Sequence, residues 1–113
     1  MGDRGQIFIE DVGIYLYTHY NAAGMHEWLI QALKRGKSRW DDSEYLARII
    51  FCDMAREDLD GLLGLGIGHT RHGDVWRVLR VNCDKQKIYD ERYRWEKGPT
   101  LAKESTFEEF IAT

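Results

Sequence analysis

The order of apolar and polar side chains near the start of the chain is typical of β-structure. Residues 7–9 form a short apolar run, and β-favouring side chains resume from residue 13 to residue 20. In the second run one face carries Ile14, Leu16 and Thr18, and the other carries Tyr15, Tyr17 and His19. The pattern predicts either a tight hairpin around residues 11–13 or one bulged strand. Because both faces are largely apolar, we expect this strand to lie inside the sheet.

Two segments in the middle of the chain repeat apolar residues at the spacing of amphipathic helices. The first runs from about residue 25 to residue 35 and ends before Gly36, a common helix terminator. The second runs from about residue 42 to residue 57, and Asp41 and Glu44 have the spacing of a capping box at its start. Its apolar stripe consists of Tyr45, Leu46, Ile49, Ile50 and Met54. The short loop between the segments predicts an αα-hairpin lying on a sheet.

The second half of the chain favours three further strands and a terminal helix. Residues 61–68 alternate glycine with aliphatic side chains, and residues 75–81 and 87–91 follow after short turns. We predict that these strands form a meander. Residues 92–104 are charged and aromatic and contain a Gly-Pro chain breaker. The capping-box spacing of Thr106 and Glu109 indicates a short helix within residues 105–112.

These elements predict a single α+β domain over residues 1–113. An antiparallel sheet, made of an N-terminal strand or hairpin and a C-terminal three-stranded meander, is packed against an αα-hairpin, with a short C-terminal helix. Residues 92–113 either pack on this domain or form a peripheral tail that contacts another subunit. A chain of 113 residues has room for one modest core and for no separate catalytic domain.

Composition adds constraints on the class of function. Hydrophobic residues make up 43% of the chain and charged residues 31%, which is typical of a folded globular protein. A net charge of -3 argues against a basic nucleic-acid binder, although a local basic patch stays open. Aromatic residues reach 12%, so some are expected in the core and others on a contact surface, where a homodimer is one outcome.

The cysteines and the apolar runs indicate the cellular location of the protein. Cys52 and Cys83 form no CxxC pair and no secreted disulfide framework, and Cys52 falls in an apolar helical run where we expect burial. The N-terminus lacks the apolar stretch of a signal peptide, and no apolar run approaches the ~20 residues that span a bilayer. We therefore predict a cytoplasmic protein without a membrane contact.

No cofactor or metal is expected. Gly64, Gly66 and Gly68 lack the spacing of a dinucleotide fingerprint or a P-loop, and no helix is predicted after them. His69 and His72 sit on a predicted turn, and the other potential ligands are scattered, whereas zinc requires three or four ligands.

The most specific local feature is a basic segment at residues 34–40. It contains the cations Lys34, Arg35, Lys37 and Arg39, no acid, and a final Trp40. Positive charge at the C-terminus of a helix is stabilising, which accounts for the first two cations. The others either pair with neighbouring acids or hold an anionic partner, namely an acidic protein surface or a phosphate backbone.

A second set of candidates surrounds the predicted strand end at His19. This histidine follows Tyr17 and, if the helices fold back on the sheet, Asp41 or Asp42 lies near it. A histidine oriented by a carboxylate can act as an acid or base. The alternative is a strand-end histidine bonded to the backbone. No Gly-x-Ser-x-Gly nucleophile motif is present in the sequence.

Two stretches of the chain resemble known proteins. They are the strand residues 17–20 (Tyr-Thr-His-Tyr) and the helix residues 39–51 (Arg-Trp-Asp-Asp-x-x-Tyr-Leu-Ala-Arg-Ile-Ile-Phe). They are similar to a family of short, uncharacterised bacterial and phage proteins, over about residues 12–91. The family pattern has Trp where this chain has Tyr20. The resemblance implies an origin in mobile DNA, such as a phage or an integron cassette, and implies no activity.

We therefore predict a non-enzymatic binding or accessory protein that contacts an anionic or protein partner. The expected contact residues are those of the basic segment together with Tyr17. The alternatives are a small enzyme that uses His19 with Asp41 or Asp42, and a nucleic-acid binder that uses the basic segment.

Overall fold

A computed structural model describes residues 3–56, 58–62, 64–94 and 98–113. It contains six strands, β1 (Gly5–Ile9), β2 (Ile14–Thr18), β3 (Leu65–Gly68), β4 (Arg77–Asn82), β5 (Lys87–Arg94) and β6 (Gly98–Thr106), and three α-helices, α1 (Met25–Arg35), α2 (Ser43–Ala55) and α3 (Phe107–Ile111). Short 3-10 turns lie at Ala22–Gly24 and Lys37–Arg39. Within the described ranges, none of the helices has the length and apolar character that crossing a membrane requires.

The six strands form one sheet in the order β3-β2-β1-β4-β5-β6. The N-terminal hairpin β1–β2 is present, and β2 lies between two neighbours as predicted. The α+β class is confirmed, but the sheet is mixed, because β1 and β4 are parallel. The predicted meander is also shifted by one strand. Its members are β4, β5 and β6, whereas β3 pairs with β2 at the opposite edge.

Strand β6 occupies residues for which no strand was predicted. Residues 98–104 are exposed, so the strand shows no alternation of buried and exposed positions there. It is an edge strand, where Pro99 is tolerated because no ladder bond is required on the outer side. A bulge in its pairing lies opposite Asp90 and Glu91. Edge strands of this kind are held by backbone pairing more than by side-chain burial, and hydrophobic pattern does not reveal them.

The helices form a single layer on one face of the sheet. Ile7 and Leu79 from the sheet pack with Leu29 of α1, Leu46 of α2 and Phe107 of α3 in one core. Phe107 is 1% exposed, and the predicted capping box of α3 is present at Thr106 and Glu109. The described part of the C-terminal segment therefore packs on its own domain.

Helix α2 differs from its prediction in its cap and in its buried side. The cap is Asp42, whose carboxylate accepts from the Tyr45 backbone N–H at 3.5 Å. Tyr45 is 55% exposed, although it was expected in the apolar stripe, and Cys52 is exposed, although it was expected to be buried. The two residues are seven positions apart and so share the solvent side of the helix. Leu46, Ile50 and Met54 face the core as predicted.

A buried arginine joins the sheet to the helical layer. Arg77 donates from Nε and Nη2 to the two carboxylate oxygens of Asp90 at 3.1 and 3.0 Å, and from Nη1 to the Ala22 carbonyl at 3.0 Å. Arg92 donates to the same two oxygens at 3.0 and 3.1 Å. Burial raises the pKa of Asp90, but the bonds from Arg92 and Arg77 outweigh it, and the pKa lies below its ordinary value.

At Gly5, β1 lies close to the turn before α1. An added Cβ at this position would lie 2.7 Å from Ala22 Cβ, 2.8 Å from Met25 Cε and 3.0 Å from the Arg77 carbonyl oxygen. We expect Gly5→Ala to lower the free energy of unfolding by about 1–3 kcal/mol, the usual cost of overpacking. Gly68→Ala is the matched control, because nothing lies within 4 Å of its Cβ. Urea unfolding of both variants makes the measurement, and equal stabilities would contradict the close packing.

Asp90→Asn is expected to lower the free energy of unfolding at about pH 7 by about 3 kcal/mol, because Arg77 would remain buried without its counter-charge. The folded-state pKa of Asp90 is depressed, so the stability due to its carboxylate is complete above the unfolded pKa. That stability is lost as the pH falls through the folded pKa. The gap between wild type and variant should therefore shrink below about pH 4. Urea unfolding across this range provides the measurement, and a constant gap would contradict it.

Candidate functional site

The cations of the basic segment at residues 34–40 are largely engaged within the chain. Arg35 pairs with Asp53 at 3.2 Å and Lys37 pairs with Glu108 at 3.3 Å. The guanidinium of Arg39 lies 4.6 Å from the centre of the Tyr45 ring, a cation–π distance. Lys34 is exposed. These pairs are at the surface and weak, but they reduce the charge that the segment offers to a partner.

Trp40 belongs to the core. It is 7% exposed, its ring meets Phe107 edge to face at 5.2 Å, and its indole N–H donates to the Leu33 carbonyl at 2.9 Å. The indole therefore fixes the loop between α1 and α2. Its burial leaves the basic segment without an exposed tryptophan that could stack on a ligand.

The structure separates His19 from Asp41 and Asp42. Asp42 caps α2 at the end of the sheet where Cys83 follows β4, and burial, Asp11 and the charge of Asp42 together raise the pKa of the Cys83 thiol to about 12. His19 follows β2 at the opposite end, because Thr18 pairs with the first residue of β1. Asp41 is exposed beside Asp42. The basic segment likewise lies away from Tyr17, on the helical side of the sheet.

His19 instead belongs to a ring of four polar side chains. Its Nδ1 lies 3.2 Å from the Tyr17 hydroxyl, which donates to Asp74 Oδ2 at 3.4 Å. Arg4 closes the ring, with Nη1 donating to Asp74 Oδ2 at 2.7 Å and Nη2 lying 3.4 Å from His19 Nε2. The ring of His72 stacks on Tyr17 with centroids 4.2 Å apart.

The donors of this ring determine the tautomer of His19. A guanidinium only donates, so His19 Nε2 must accept from Arg4. The proton of a neutral imidazole then resides on Nδ1, which donates to the Tyr17 oxygen and leaves the phenol proton for Asp74. Each group has one consistent role when His19 is neutral.

The two acids of the ring have displaced pKa values. Burial and the nearby charge of Asp74 raise the pKa of Tyr17, so the phenol stays protonated as the ring requires. Burial also raises the pKa of Asp74, but the hydrogen bond and charge of Arg4 outweigh it, and its pKa is lowered. The ring therefore holds a carboxylate, a neutral phenol and a cation in fixed positions.

The ring lies at one end of a sheet face that carries no helix in the described part of the chain. We call this surface the open face. Its side chains alternate with those of the core, as Phe8 does between the buried Ile7 and Ile9. Phe8 stacks on Tyr15 with centroids 4.1 Å apart and an interplanar angle of 9°. The other aromatic residues placed there by the register are Tyr17, Tyr89 and Tyr93.

Arginines on the open face are held against these rings and against carboxylates. Arg80 lies 4.0 Å from the centre of the Tyr89 ring and pairs with Glu10 and Glu91 at 3.1 and 3.2 Å. Arg71 lies 4.4 Å from the centre of the Tyr93 ring. The face thus combines aromatic area with two arginines that lie over rings, of which Arg80 also has carboxylate partners.

Residues 69–76 cross part of the open face on their way from β3 to β4. Gln6, only 1% exposed, holds this segment by donating to the Thr70 carbonyl at 3.2 Å and accepting from the His72 N–H at 3.0 Å. Sequence reasoning identified the face of Tyr15, Tyr17 and His19 but missed Arg4 and Asp74. Their contact joins residues 70 positions apart, for which local spacing gives no signal.

Comparisons with known proteins add no relationship, because no family model, curated protein or solved structure matches the chain. Among the described residues, no group of three or more His, Cys, Asp or Glu side chains is arranged to hold a metal ion.

The tautomer of His19 is a direct test of the ring. We expect the ring ¹⁵N shifts of His19 to report a protonated Nδ1, because Arg4 occupies Nε2 as a donor. The exposed His69 is the control, and in it the more common Nε2–H form should dominate. A protonated Nε2 in neutral His19 would contradict the hydrogen-bond pattern.

Proposed function

We propose that this protein is a non-enzymatic binding protein and that the open face contacts a protein partner. The observation that carries this proposal is the half-buried aromatic surface of Phe8, Tyr15 and Tyr17, continued by arginines that lie over tyrosine rings. Aromatic residues and arginine are enriched at protein interfaces and dominate their binding energy.

The charges of the open face favour a protein over a nucleic acid. Arg80 already has two carboxylate partners, and Arg4 has Asp74. A phosphate backbone is bound by cations that exchange counterions for phosphates, and these cations are neutralised within the chain. The net charge of -3 acts in the same direction.

The contacts within the open face also favour tight binding for a given area. The Phe8 and Tyr15 rings are stacked, and Arg80 is fixed by a ring and two carboxylates, so these side chains lose little rotamer freedom when a partner binds. Association costs about 0.5–1.5 kcal/mol for each mobile side chain that it immobilises, and this cost is largely avoided here.

A change at the centre of the face should weaken binding without unfolding the chain. We expect Tyr15→Thr, which keeps a strand-favouring side chain on β2, to raise the dissociation constant of a partner about 30-fold, as for an interface hot spot. The partner is recovered from a host lysate on the tagged chain, and its affinity for each purified variant is measured by calorimetry. If the recovered protein is a second copy of this chain, the same measurement applies to the homodimer.

The matched control is the double variant Lys37→Ala with Arg39→Ala, on the helical side of the sheet. It should bind like wild type, because its cations are engaged with Glu108 and Tyr45. The opposite pattern, in which the double variant loses binding and Tyr15→Thr does not, would place the contact on the basic segment and overturn the proposal.

A second candidate function is acid–base chemistry at the ring. The observation in its favour is the Tyr17 hydroxyl, which contacts both His19 and Asp74. Asp74 would take the orienting role that the sequence suggested for Asp41 or Asp42.

We propose a cytoplasmic location for either function, as the sequence predicts.

A further inference from the structure

A cleft of about 210 Å³ lies on the helical side of the sheet, away from the open face. Its walls come from the start of α1, the strands β5 and β6, and α3. Ile88 and Phe110 form an apolar wall and are 1% and 8% exposed. The Arg77–Asp90 pair, Lys103, Ser105 and His26 supply the polar lining.

The lining of this cleft contains two cations, Arg77 and Lys103, and one carboxylate, Asp90. Asp90 is the carboxylate on which Arg77 and Arg92 both converge, and Lys103 is its partner across the β5–β6 ladder. Arg77 and Arg92 together neutralise Asp90, and Lys103 is the cation of the lining that does not bond to it. An anion beside Lys103 would gain a charge-assisted hydrogen bond without competing for the donors that Arg77 uses on Asp90.

Most of the N–H groups of Arg77 already donate hydrogen bonds within the chain, so other residues of the cleft would have to bind a ligand. Arg77 donates to Asp90 and to the carbonyls of Ala22 and Ala23. Lys103, by contrast, has no hydrogen bond or ion pair with another described residue. The hydrogen bond from the Thr106 N–H at 2.8 Å and, to a smaller extent, the charge of Lys103 lower the pKa of the Glu109 carboxyl.

The remaining polar lining is placed beside Lys103. Ser105 lies two residues further along β6 on the same face of the sheet and is 4% exposed. His26 is at the rim and has Glu27 at 3.3 Å as its acidic neighbour. An ammonium and a hydroxyl are thus adjacent to the apolar wall of Ile88 and Phe110.

We propose that this cleft binds a small carboxylate with a short apolar body. Lys103 and Ser105 hold the carboxylate by charge-assisted hydrogen bonds, and the apolar body contacts Ile88 and Phe110. The volume is below the roughly 300 Å³ at which the range of drug-sized pockets begins. It therefore suits a ligand of few atoms and excludes a nucleotide. The inference is independent of the partner bound by the open face.

Sodium butyrate is a suitable probe, because it combines one carboxylate with a three-carbon chain. In an NMR titration of the full chain at constant ionic strength, we expect a Kd of about 1 mM and shifts centred on Ile88, Ser105 and Phe110. Butyramide, which keeps the shape and removes the charge, should bind at least tenfold more weakly, about the effect of losing one charged hydrogen bond.

Lys103→Gln should raise the butyrate Kd about tenfold for the same reason. Lys103 is exposed, so this change leaves the fold intact, and Lys34→Gln on the exposed end of α1 is the matched control. The proposal is overturned if sodium chloride or inorganic phosphate reproduces the shifts. Equal binding of butyramide, or butyrate binding that is unchanged in Lys103→Gln, would overturn it as well.

Discussion

Arg77 places a positive charge beneath the helical layer, with only 6% of the residue exposed to solvent. A buried guanidinium is tolerated when its donors are satisfied, and here Asp90 and the carbonyl of Ala22 satisfy them. These bonds join β4 to β5 and to the turn that starts α1. Gly5 pairs with Arg77 in the parallel ladder and leaves room for that turn. The junction of sheet and helices depends on this arrangement.

Because the helices cover one face of the sheet, the two faces differ. The helical face uses nearly all of its apolar area in the core, including Trp40, and retains a small charged cleft at its margin. The open face is crossed by residues 69–76, and stacked rings and paired arginines lie beside the crossing. In the described part of the chain no helix lies on the open face, and the aromatic side chains of Phe8, Tyr15, Tyr17, Tyr89 and Tyr93 lie there.

The local pattern of apolar residues predicted the helices well, because helix formation depends on residues that are close in the sequence. The stripe of α1 and the terminator Gly36 gave bounds that agree with the structure. Strand pairing joins residues that are far apart in the sequence. The local pattern therefore did not predict that β3 lies at the far edge of the sheet or that β4 is parallel to β1. The ring was missed for the same reason, because the crossing of residues 69–76 brings Asp74 to Arg4 and Tyr17 from a distant part of the sequence. The counter-charges of the basic segment are also distant in sequence, since they come from α2 and α3.

Hydroxyl-radical footprinting of the isolated chain tests most directly whether one face is closed and the other free. The experiment works at concentrations low enough for a single chain in solution. The half-buried Tyr15 and Phe8 should be oxidised measurably, whereas the buried Trp40 and Phe107 should be protected despite the high reactivity of an indole. Protection of Tyr15 and Phe8 equal to that of Phe107 would show that the face is covered and would contradict this account.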